Sequence, residues 1–412
     1  MHNPKSHIEI ISDVERFRAL RNEWEDLWSR ANGHYHEAFA VCWESWLNIA
    51  EPRGSKLRCI VGRQNGRLVM VWPLVVTRRA LWRVLRMLGP EAADYTSMLL
   101  DPEADAQLLV DQAWRAAMKH CGADVLRVPY LDERSRLHRI ISSERHIVFG
   151  EQRSAAIARL RAETDWGSFA SALGTLSGKK PGALERRLAK QGKLEARLLS
   201  PDEAERNREL VDWTLSRKRE WASRVDKRGA WLYSAQYRDF LVSLLNTQAH
   251  EPAARLYLIT LDDVPLATTI IGIGKSSIKG LLTGFDQRYA KYSPGQLVVE
   301  YMVKWAFDHR LDFDFGVGSE SFKSYWSRNN AVTVASSEVA ATAWGRVAFG
   351  VRKLISRNSA LVSRLRQPSF AENDGATEAP DDGECRGENR QPARERRNAR
   401  SGPTLVGADD AT

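Results

Sequence analysis

The sequence predicts an α/β fold with two lobes, each a mixed β-sheet flanked by helices. A hairpin, a third strand, an amphipathic helix and a further strand follow one another in this order twice along the chain. Antiparallel strands that lead into a helix and then another strand are typical of mixed sheets covered by helices. The composition agrees, because 43% hydrophobic and 27% charged residues are close to the globular average.

The first copy of this order lies in the first half of the chain. Leu57–Arg63 alternates like a strand, an Asn-Gly turn signal follows, and Leu68–Val76 is predicted as the returning strand. The later elements are the strand Tyr95–Leu100, the helix Asp105–His120 and the strand Asp124–Val128.

The second copy repeats the pattern with an Asp-Asp turn. Arg255–Leu261 and Pro265–Ile273 form its hairpin, and Ile278–Phe285 is its third strand. The helix Gly295–His309 and the strand Asp312–Phe315 complete the copy. The repeat predicts that the chain contains two lobes of similar architecture.

The repeat and two changes of composition predict four regions. The lobes are expected at residues 1–160 and 161–343. Residues 344–367 combine an apolar helical stripe with basic residues and no acids, which predicts a basic amphipathic helix. Residues 368–412 have few large apolar side chains, so we expect a disordered tail.

The charge of the chain favours anionic ligands. The net charge is +9, and residues 368–412 hold six Arg against ten acids, or −4, so residues 1–367 carry +13. The N-terminus lacks a secretory signal pattern and no apolar run approaches the roughly 20 residues of a spanning helix, so we expect a cytoplasmic protein. The four cysteines are far apart, and only His34 and His36 lie close together, so we expect no metal centre.

A polar, aromatic loop leads into the helix of the second copy. Ser293 can cap that helix, and Pro294 suits its first position. The amides of Gly295, Gln296 and Leu297 would then be free donors at the positive end of the helix dipole, which predicts an anion site. A well-capped helix without a ligand is the alternative.

Ionisable side chains crowd the exit of the strand Asp312–Phe315. Asp314, Glu320, Lys323 and Tyr325 are the kinds of group that proton transfer at an acyl centre uses. The alternative is structural, with Asp314 or Glu320 paired to Lys323.

These passages resemble the CelD-like branch of the GNAT superfamily, which is related to the FemABX peptidyltransferases. The residues that carry the resemblance read FDxxYxxYSPGxL from Phe285 and DFGxGxExFKxxW from Asp314. The resemblance runs from about Ile8 to Trp344. In the first half it includes Val71-Trp72-Pro73-Leu74, Leu88-Gly89-Pro90 and Asp94-Tyr95.

The resemblance implies an acyl-CoA donor, such as acetyl-CoA, whose pyrophosphate lies on the start of the helix at Ser293-Pro294-Gly295. Of the widespread superfamily loop R/Q-x-x-G-x-G/A, only Gly295 remains here. A backbone amide near Leu282–Phe285 would stabilise the oxyanion. The expected donor contacts are Leu282, Gly284, Phe285, Tyr292, Ser293, Gly295, Gln296 and Leu297.

The implied chemistry is direct attack of an amine or hydroxyl acceptor on the thioester. Glu320 is the predicted general base and Tyr325 the predicted acid for the thiolate, with Asp314 and Tyr292 as their substitutes. Lys323 is expected to fix an acceptor or the Glu320 carboxylate, because a lysine beside an acid keeps its proton.

Three alternatives remain open. Relatives that use aminoacyl-tRNA have the same two-lobed architecture, so a peptidyltransferase is the second enzymatic interpretation. The basic segments Lys179-Lys180 and Arg186–Lys193 could bind nucleic acid, which in the peptidyltransferase reading would be tRNA. The helix 344–367 could bind an anionic bilayer at the inner membrane face, or pack on the body of the protein. Such docking would suit a small-molecule or glycan acceptor from envelope or exopolysaccharide synthesis, as the resemblance suggests.

Overall fold

A computed structural model describes residues 6–90, 95–225, 229–249 and 251–357. Its strands are β1 (Ser6–Ile11), β2 (Lys56–Leu57), β3 (Cys59–Gln64), β4 (Arg67–Trp72), β5 (Leu74–Arg79), β6 (Trp82–Met87), β7 (Leu99–Leu100), β8 (Val125–Asp132), β9 (Ile147–Ala158), β10 (Leu194–Leu198), β11 (Ala254–Leu261), β12 (Val264–Ile273), β13 (Ser277–Phe285), β14 (Asp312–Val317) and β15 (Ala331–Ala340). Its α-helices are α1 (Val14–Ala19), α2 (Arg21–Arg30), α3 (Phe39–Ser45), α4 (Ala106–His120), α5 (Arg136–Ser142), α6 (Trp166–Ala172), α7 (Ala183–Leu188), α8 (Ala204–Arg224), α9 (Ala235–Leu245), α10 (Pro294–Asp308), α11 (Ser321–Ser327) and α12 (Ala343–Arg357).

Two β-sheets organise these elements. The smaller sheet is four-stranded, with the order β1-β3-β4-β7, and comes from the first half of the chain. The larger sheet is eleven-stranded, with the order β10-β11-β12-β13-β14-β9-β15-β8-β6-β5-β2. At its centre β9 pairs with both β14 and β15, and β15 pairs in turn with β8. Strands from the two halves of the sequence therefore alternate in one sheet, and the predicted α/β fold of mixed sheets flanked by helices is confirmed.

The second predicted copy is present with its elements in the expected order. β11 and β12 form the hairpin, and β13, α10 and β14 follow. Asp262 and Asp263 take positive φ values of 50° and 64° in the turn, a conformation that Asp tolerates better than most residues. The local signals of alternation and turn chemistry were sufficient here.

The first copy departs from its prediction at Pro73. The single strand expected over Leu68–Val76 is two strands, β4 and β5, which lie in different sheets. Proline has no N–H to donate to a strand ladder, so the chain leaves one sheet at this residue and joins the other. The strand expected over Tyr95–Leu100 is reduced to β7.

The helices that follow β13 and β14 cover one face of the larger sheet. Phe313 and Phe315 of β14 pack in one cluster with Met302 of α10 and Trp326 of α11. Leu282 of β13 belongs to a different cluster, which includes residues of α3, α8 and α9. Helices α10 and α11 therefore share a face, and α8 lies against β13 on the other.

Helix α12 covers the first part of the helix predicted at 344–367. The remainder of that helix and the tail predicted at 368–412 lie outside the described residues. Trp344 and Val347 are 45% and 43% exposed, whereas Ala348 is buried, so the body covers the apolar stripe only in part at those two positions. Within the described ranges, none of the helices has the length and apolar content that a membrane crossing needs.

Candidate active site

The strands β13 and β14 separate soon after they meet. Their parallel pairing joins Ser277 to Asp312 and ends where Lys279 pairs with Asp314. β13 then continues to Phe285 without further pairing to β14. A bulge also interrupts the pairing of β13 with β12 at Leu281, and bulges change the direction of nearby backbone groups. The backbone of β13 beyond Lys279 therefore borders a gap in the sheet.

Helix α10 follows β13 after a short 3-10 helix, Gln287–Tyr292, and does not have the expected cap. Pro294 occupies the first helical position, as predicted. Ser293 stands at the cap position with a φ of 55° and makes no side-chain cap hydrogen bond. The amides of Gln296 and Leu297 donate to the Ser293 carbonyl at 3.1 and 3.2 Å, so they are not the free donors that the sequence predicted. An anion here would meet the Gly295 amide, the helix dipole and neighbouring side chains.

A small cleft lies between the start of α10 and α11. It brings together Gln296, predicted to contact the donor, and Tyr325, predicted to be the acid. The loop before α7 contributes two lysines to the same cleft. The lining residues are Leu176, Lys179, Lys180, Pro181, Leu184, Gln296, Glu300, Tyr325 and Trp326.

The phenol of Tyr325 is held in its protonated form. Burial and the nearby Glu300 carboxylate raise the pKa of Tyr325 to about 12, and its hydroxyl donates to the Gly174 carbonyl at 3.4 Å. Burial also raises the pKa of Glu300, which accepts a hydrogen bond from the Gly182 amide. Sequence reasoning missed Glu300, although an acid one turn after Gln296 in an apolar helix marks the same face.

Glu320 and Lys323 form the ion pair that was the structural alternative. Lys323 is 2% exposed, and its Nζ lies 2.8 Å from Glu320 Oε2 and donates to the Val317 carbonyl at 2.6 Å. Gly318 has a φ of 134°, and a Cβ on it would collide with both charged groups, so this turn requires glycine. Within the described residues, neither Glu320 nor Lys323 lines the cleft.

Asp314 lies on the other face of the sheet from Tyr325. Its Oδ1 accepts from the Tyr95 hydroxyl at 2.9 Å and from the Gly316 amide at 2.7 Å. The Nζ of Lys279, the strand partner of Asp314, lies 4.3 Å from the centre of the Tyr95 ring. The ring of His36 packs on Tyr95 at 6.0 Å.

This second polar cluster was not predicted from the sequence. His36 and Lys279 are each 4% exposed, and the His36 ring lies 2.8 Å from the Ser97 hydroxyl. Burial, together with the charges of His34 and Lys279, holds the pKa of His36 well below its usual range. The residues of this cluster are far apart in the sequence, so no local motif predicts it. In the described part of the chain no three His, Cys, Asp or Glu side chains are close enough to hold one metal ion.

Of the remaining residues predicted to contact the donor, Tyr292 lies at the surface and the others lie in the core. The Tyr292 hydroxyl donates to Gln191 Oε1 at 2.7 Å, and the guanidinium of Arg187 lies 5.0 Å from its ring. The basic helix α7 therefore lies beside the start of α10 rather than on a separate surface. The side chains of Leu282, Phe285 and Leu297 are buried in the core, and Gly284 is in close contact with the backbone of Thr214 in α8.

Comparisons with known proteins identify one domain and a shared fold. Residues 182–324 match the acetyltransferase (GNAT) domain. The crystal structure of FemX superposes with a TM-score of 0.55 at 11% identity, over 80% of this chain and 96% of FemX. No curated protein matches the chain at a significant level.

Two further solved structures are similar over most of their length. The C-terminal domain (DUF2156) of a putative lysylphosphatidylglycerol synthetase from Agrobacterium fabrum has a TM-score of 0.49 at 12% identity, over 84% of this chain and 97% of that domain. A tandem GNAT protein from the clavulanic acid biosynthesis pathway has a TM-score of 0.44 at 13% identity, over 82% and 99%. Residues 182–324 therefore form an acetyltransferase (GNAT) domain, which supports an acyltransferase activity, and the chain shares the fold of FemX.

Proposed function

We propose that the protein transfers an acyl group from acyl-CoA to an amine or hydroxyl acceptor, with the donor bound in the cleft between α10 and α11. The observation that carries this proposal is the position of the cleft. It lies at the start of α10, between the helices that follow β13 and β14, and it contains Gln296 and Tyr325. Lys179 and Lys180 supply positive charge for the donor phosphates at the same place.

The proposed reaction needs no covalent enzyme intermediate. The acceptor nitrogen or oxygen attacks the thioester carbon, and the resulting oxyanion is stabilised by a backbone amide of β13 between Leu282 and Phe285. The C–S bond then breaks, and the leaving thiolate takes a proton from the Tyr325 hydroxyl. The acceptor's proton passes to a carboxylate.

Two carboxylates are candidates for this base. Glu320 is the residue favoured by the sequence, and it is paired with Lys323. Asp314 lies on the face of the sheet opposite α10, which leaves the acceptor a route that the donor does not occupy. We therefore propose that the acceptor approaches the face that holds Asp314, Tyr95 and Lys279. Asp314→Asn should then lower kcat more than Glu320→Gln does, with donor affinity unchanged in both variants.

A second donor is supported by the basic residues around the cleft. Arg187 and Lys291 both flank Tyr292, each about 5.0 Å from its ring, and Lys179 and Lys180 lie in the cleft itself. This surface suits the backbone of an aminoacyl-tRNA as well as the phosphates of CoA. The peptidyltransferase reading therefore remains the alternative.

Calorimetry separates the two donors. We expect saturable binding of acetyl-CoA or a longer acyl-CoA, and weaker binding by the double variant Lys179→Ala/Lys180→Ala. The exposed pair Lys56→Ala/Lys119→Ala in the first half is the matched control and should bind as the parent protein does. Binding of charged tRNA alone, with an affinity that falls steeply with salt, would instead assign a tRNA donor.

The acceptor and its setting rest on the resemblance to the CelD-like branch. We propose a small-molecule or glycan acceptor from envelope or exopolysaccharide synthesis, acylated on the cytoplasmic side. Turnover with a panel of amino sugars and nucleotide sugars, followed by release of free CoA, tests this class directly. No release of CoA above the rate of hydrolysis with any member would contradict it.

A further inference from the structure

An exposed apolar surface lies where the β5–β6 hairpin meets the start of α12. We call it the tryptophan patch and define it as Leu81, Trp82, Trp344 and Val347. Leu81 is 64% exposed, Trp344 45% and Val347 43%. All three are among the strongly exposed large apolar side chains of the described residues, and all three lie in these two segments. Clustered exposure of this kind marks an interaction surface more often than scattered apolar residues do.

The patch is held together by its own contacts. The rings of Trp82 and Trp344 stack with centroids 5.7 Å apart and an interplanar angle of 28°. Trp82 Nε1 donates to the Trp344 carbonyl at 3.0 Å, and Trp344 Nε1 donates to the Leu81 carbonyl at 3.2 Å. Both indole N–H groups are therefore satisfied within the patch, which leaves apolar surface facing outward.

The two segments that form the patch contain basic residues and no acidic ones. Residues 77–84 contain Arg78, Arg79 and Arg83 and no acid. Residues 343–357 contain Arg346, Arg352, Lys353 and Arg357, again without an acid. Arg83 is neutralised by the buried Asp124 at 3.3 Å, whereas Arg78, Arg79 and Arg346 are exposed.

This combination fits an anionic phospholipid surface. Tryptophan is enriched at membrane–water interfaces, and basic residues near an anionic leaflet add about fivefold in affinity each. The apolar stripe of α12 begins with Trp344 and Val347, and the sequence continues it at Val351, Leu354 and Ile355, a pattern typical of amphipathic helices that bind bilayers. Nucleic acid would use the arginines but offers no partner for Leu81 and Val347.

We propose that the tryptophan patch docks the protein on an anionic bilayer. The inference goes beyond the acyl-transfer proposal and does not depend on it, because the patch residues do not line the cleft between α10 and α11. Leu81, Trp344 and Val347 would insert into the bilayer, and the nearby arginines would contact anionic headgroups. Binding should therefore need both apolar insertion and negative lipid charge.

The test is co-sedimentation of the full chain with vesicles at about 0.1 M salt. We expect binding to phosphatidylcholine vesicles that contain about 30% phosphatidylglycerol, weak binding to phosphatidylcholine alone, and loss of binding as salt rises. The double variant Leu81→Glu/Val347→Glu should bind at least tenfold more weakly. Val264→Glu, at a 53% exposed position in another hairpin, is the matched control and should bind as the parent protein does.

A second variant keeps the test independent of folding. Arg79→Gln/Arg346→Gln leaves the stacked tryptophans intact and should weaken binding to the anionic vesicles by about fivefold for each arginine. Equal binding of the parent protein to neutral and anionic vesicles would overturn the proposal, as would unchanged binding by the Leu81→Glu/Val347→Glu variant. A parent dimer that this variant converts to monomer, without vesicle binding by either, would assign the patch to a second copy of the chain instead.

Discussion

The helices α4 and α10 are equivalent in the two copies of the repeat, but they begin differently. Both have 15 residues, and each follows a hairpin and a further strand. Asp105 caps α4, and its carboxylate accepts a hydrogen bond from the Leu108 amide. Ser293 stands at the cap position of α10 in a left-handed conformation without a side-chain cap bond. The first helix start already carries a negative group, whereas no side-chain carboxylate caps the second.

The strands before the two helices also differ, in their length and in the strands with which they pair. β7 has two residues and lies in the smaller sheet, so it does not neighbour β8, the strand that follows α4. β13 has nine residues, pairs with β14 and then separates from it. The acetyltransferase domain match at residues 182–324 covers only the second helix. The repeat therefore supplies two similar frameworks, and the second has a gap after β13 and a cleft at its helix start.

The largest effect is expected at a buried charge that distinguishes α11, the helix after β14, from α5, the helix after β8. The buried residues of α5 are Leu137 and Ile141, whereas α11 buries Lys323. Lys323→Met should lower the free energy of unfolding by about 3–5 kcal/mol, because it leaves the Glu320 carboxylate without its ammonium partner. Urea denaturation measures this change.

The control for this variant is an exposed pair on α10. Lys304→Met removes an ammonium that lies 3.1 Å from Asp308, but both side chains are nearly half exposed, so the loss should be below about 1 kcal/mol. The double variant Lys323→Met/Glu320→Gln should recover part of the lost stability. Equal losses for Lys323→Met and Lys304→Met would show that the buried pair contributes no more than a surface pair.

A smaller effect is expected on the chemical step when the proposed acid is removed. Tyr325→Phe should lower kcat by about 100-fold with little change in donor affinity, because general acid catalysis acts in the transition state. Tyr233→Phe, at a 60% exposed position, is the control and should have unchanged kcat. Equal kcat for both variants would remove Tyr325 from the mechanism.

The pH profile gives an independent test of the same residue. A general acid works only while it is protonated, so its contribution is lost as pH rises through its pKa. Burial and the Glu300 carboxylate raise the pKa of Tyr325 to about 12. The kcat of the parent protein should therefore show no alkaline decline from this group up to about pH 10.

The smallest effect is expected at the cap that closes the first helix. Asp105→Ala should lower the free energy of unfolding by about 1 kcal/mol, because the hydrogen bond from the Leu108 amide is lost. Acyl-CoA affinity should not change, since α4 does not border the cleft. Thermal denaturation and calorimetry on the same sample measure both quantities, and a loss of donor affinity would contradict the division between the two helices.

The sequence predicted the parts of the molecule that local signals determine. Alternation, turn residues and Pro294 placed β11 to β14 and α10 in the right order and close to their observed bounds. The position of β9 between β14 and β15 could not be predicted, because strand order in a sheet depends on contacts between distant segments. The split of the strand expected over Leu68–Val76 could have been predicted, since Pro73 cannot continue a ladder.

The candidate site was predicted in part for the same reason. Gln296 and Tyr325 lie in segments that carry recognisable motifs, and the structure places both in the cleft. The sequence offers nucleic-acid binding by Lys179 and Lys180 as one open alternative, and nothing local connects their loop to α10. The cluster of His36, Tyr95, Lys279 and Asp314 joins four distant segments, so only the fold reveals it.

Gln296 is a better residue than Gly295 for a test of the donor site. Gly295 is buried, so a glutamate there would affect folding as well as binding. Gln296 lines the cleft, and Gln296→Glu is nearly isosteric. A glutamate in the first turn is also favourable for the helix, so stability should hold. Gln107, exposed in the first turn of α4, offers the same substitution at the equivalent helix start and does not line this cleft.

Calorimetry of Gln296→Glu and Gln107→Glu against acyl-CoA tests the central claim most directly. A new carboxylate beside a bound pyrophosphate should repel it, so we predict that Gln296→Glu lowers donor affinity by about tenfold or more, equivalent to at least about 1.4 kcal/mol. Gln107→Glu should leave donor affinity unchanged, and both variants should unfold at the temperature of the parent protein. Acyl-CoA binding by Gln296→Glu that equals binding by Gln107→Glu would contradict a donor site at the start of α10.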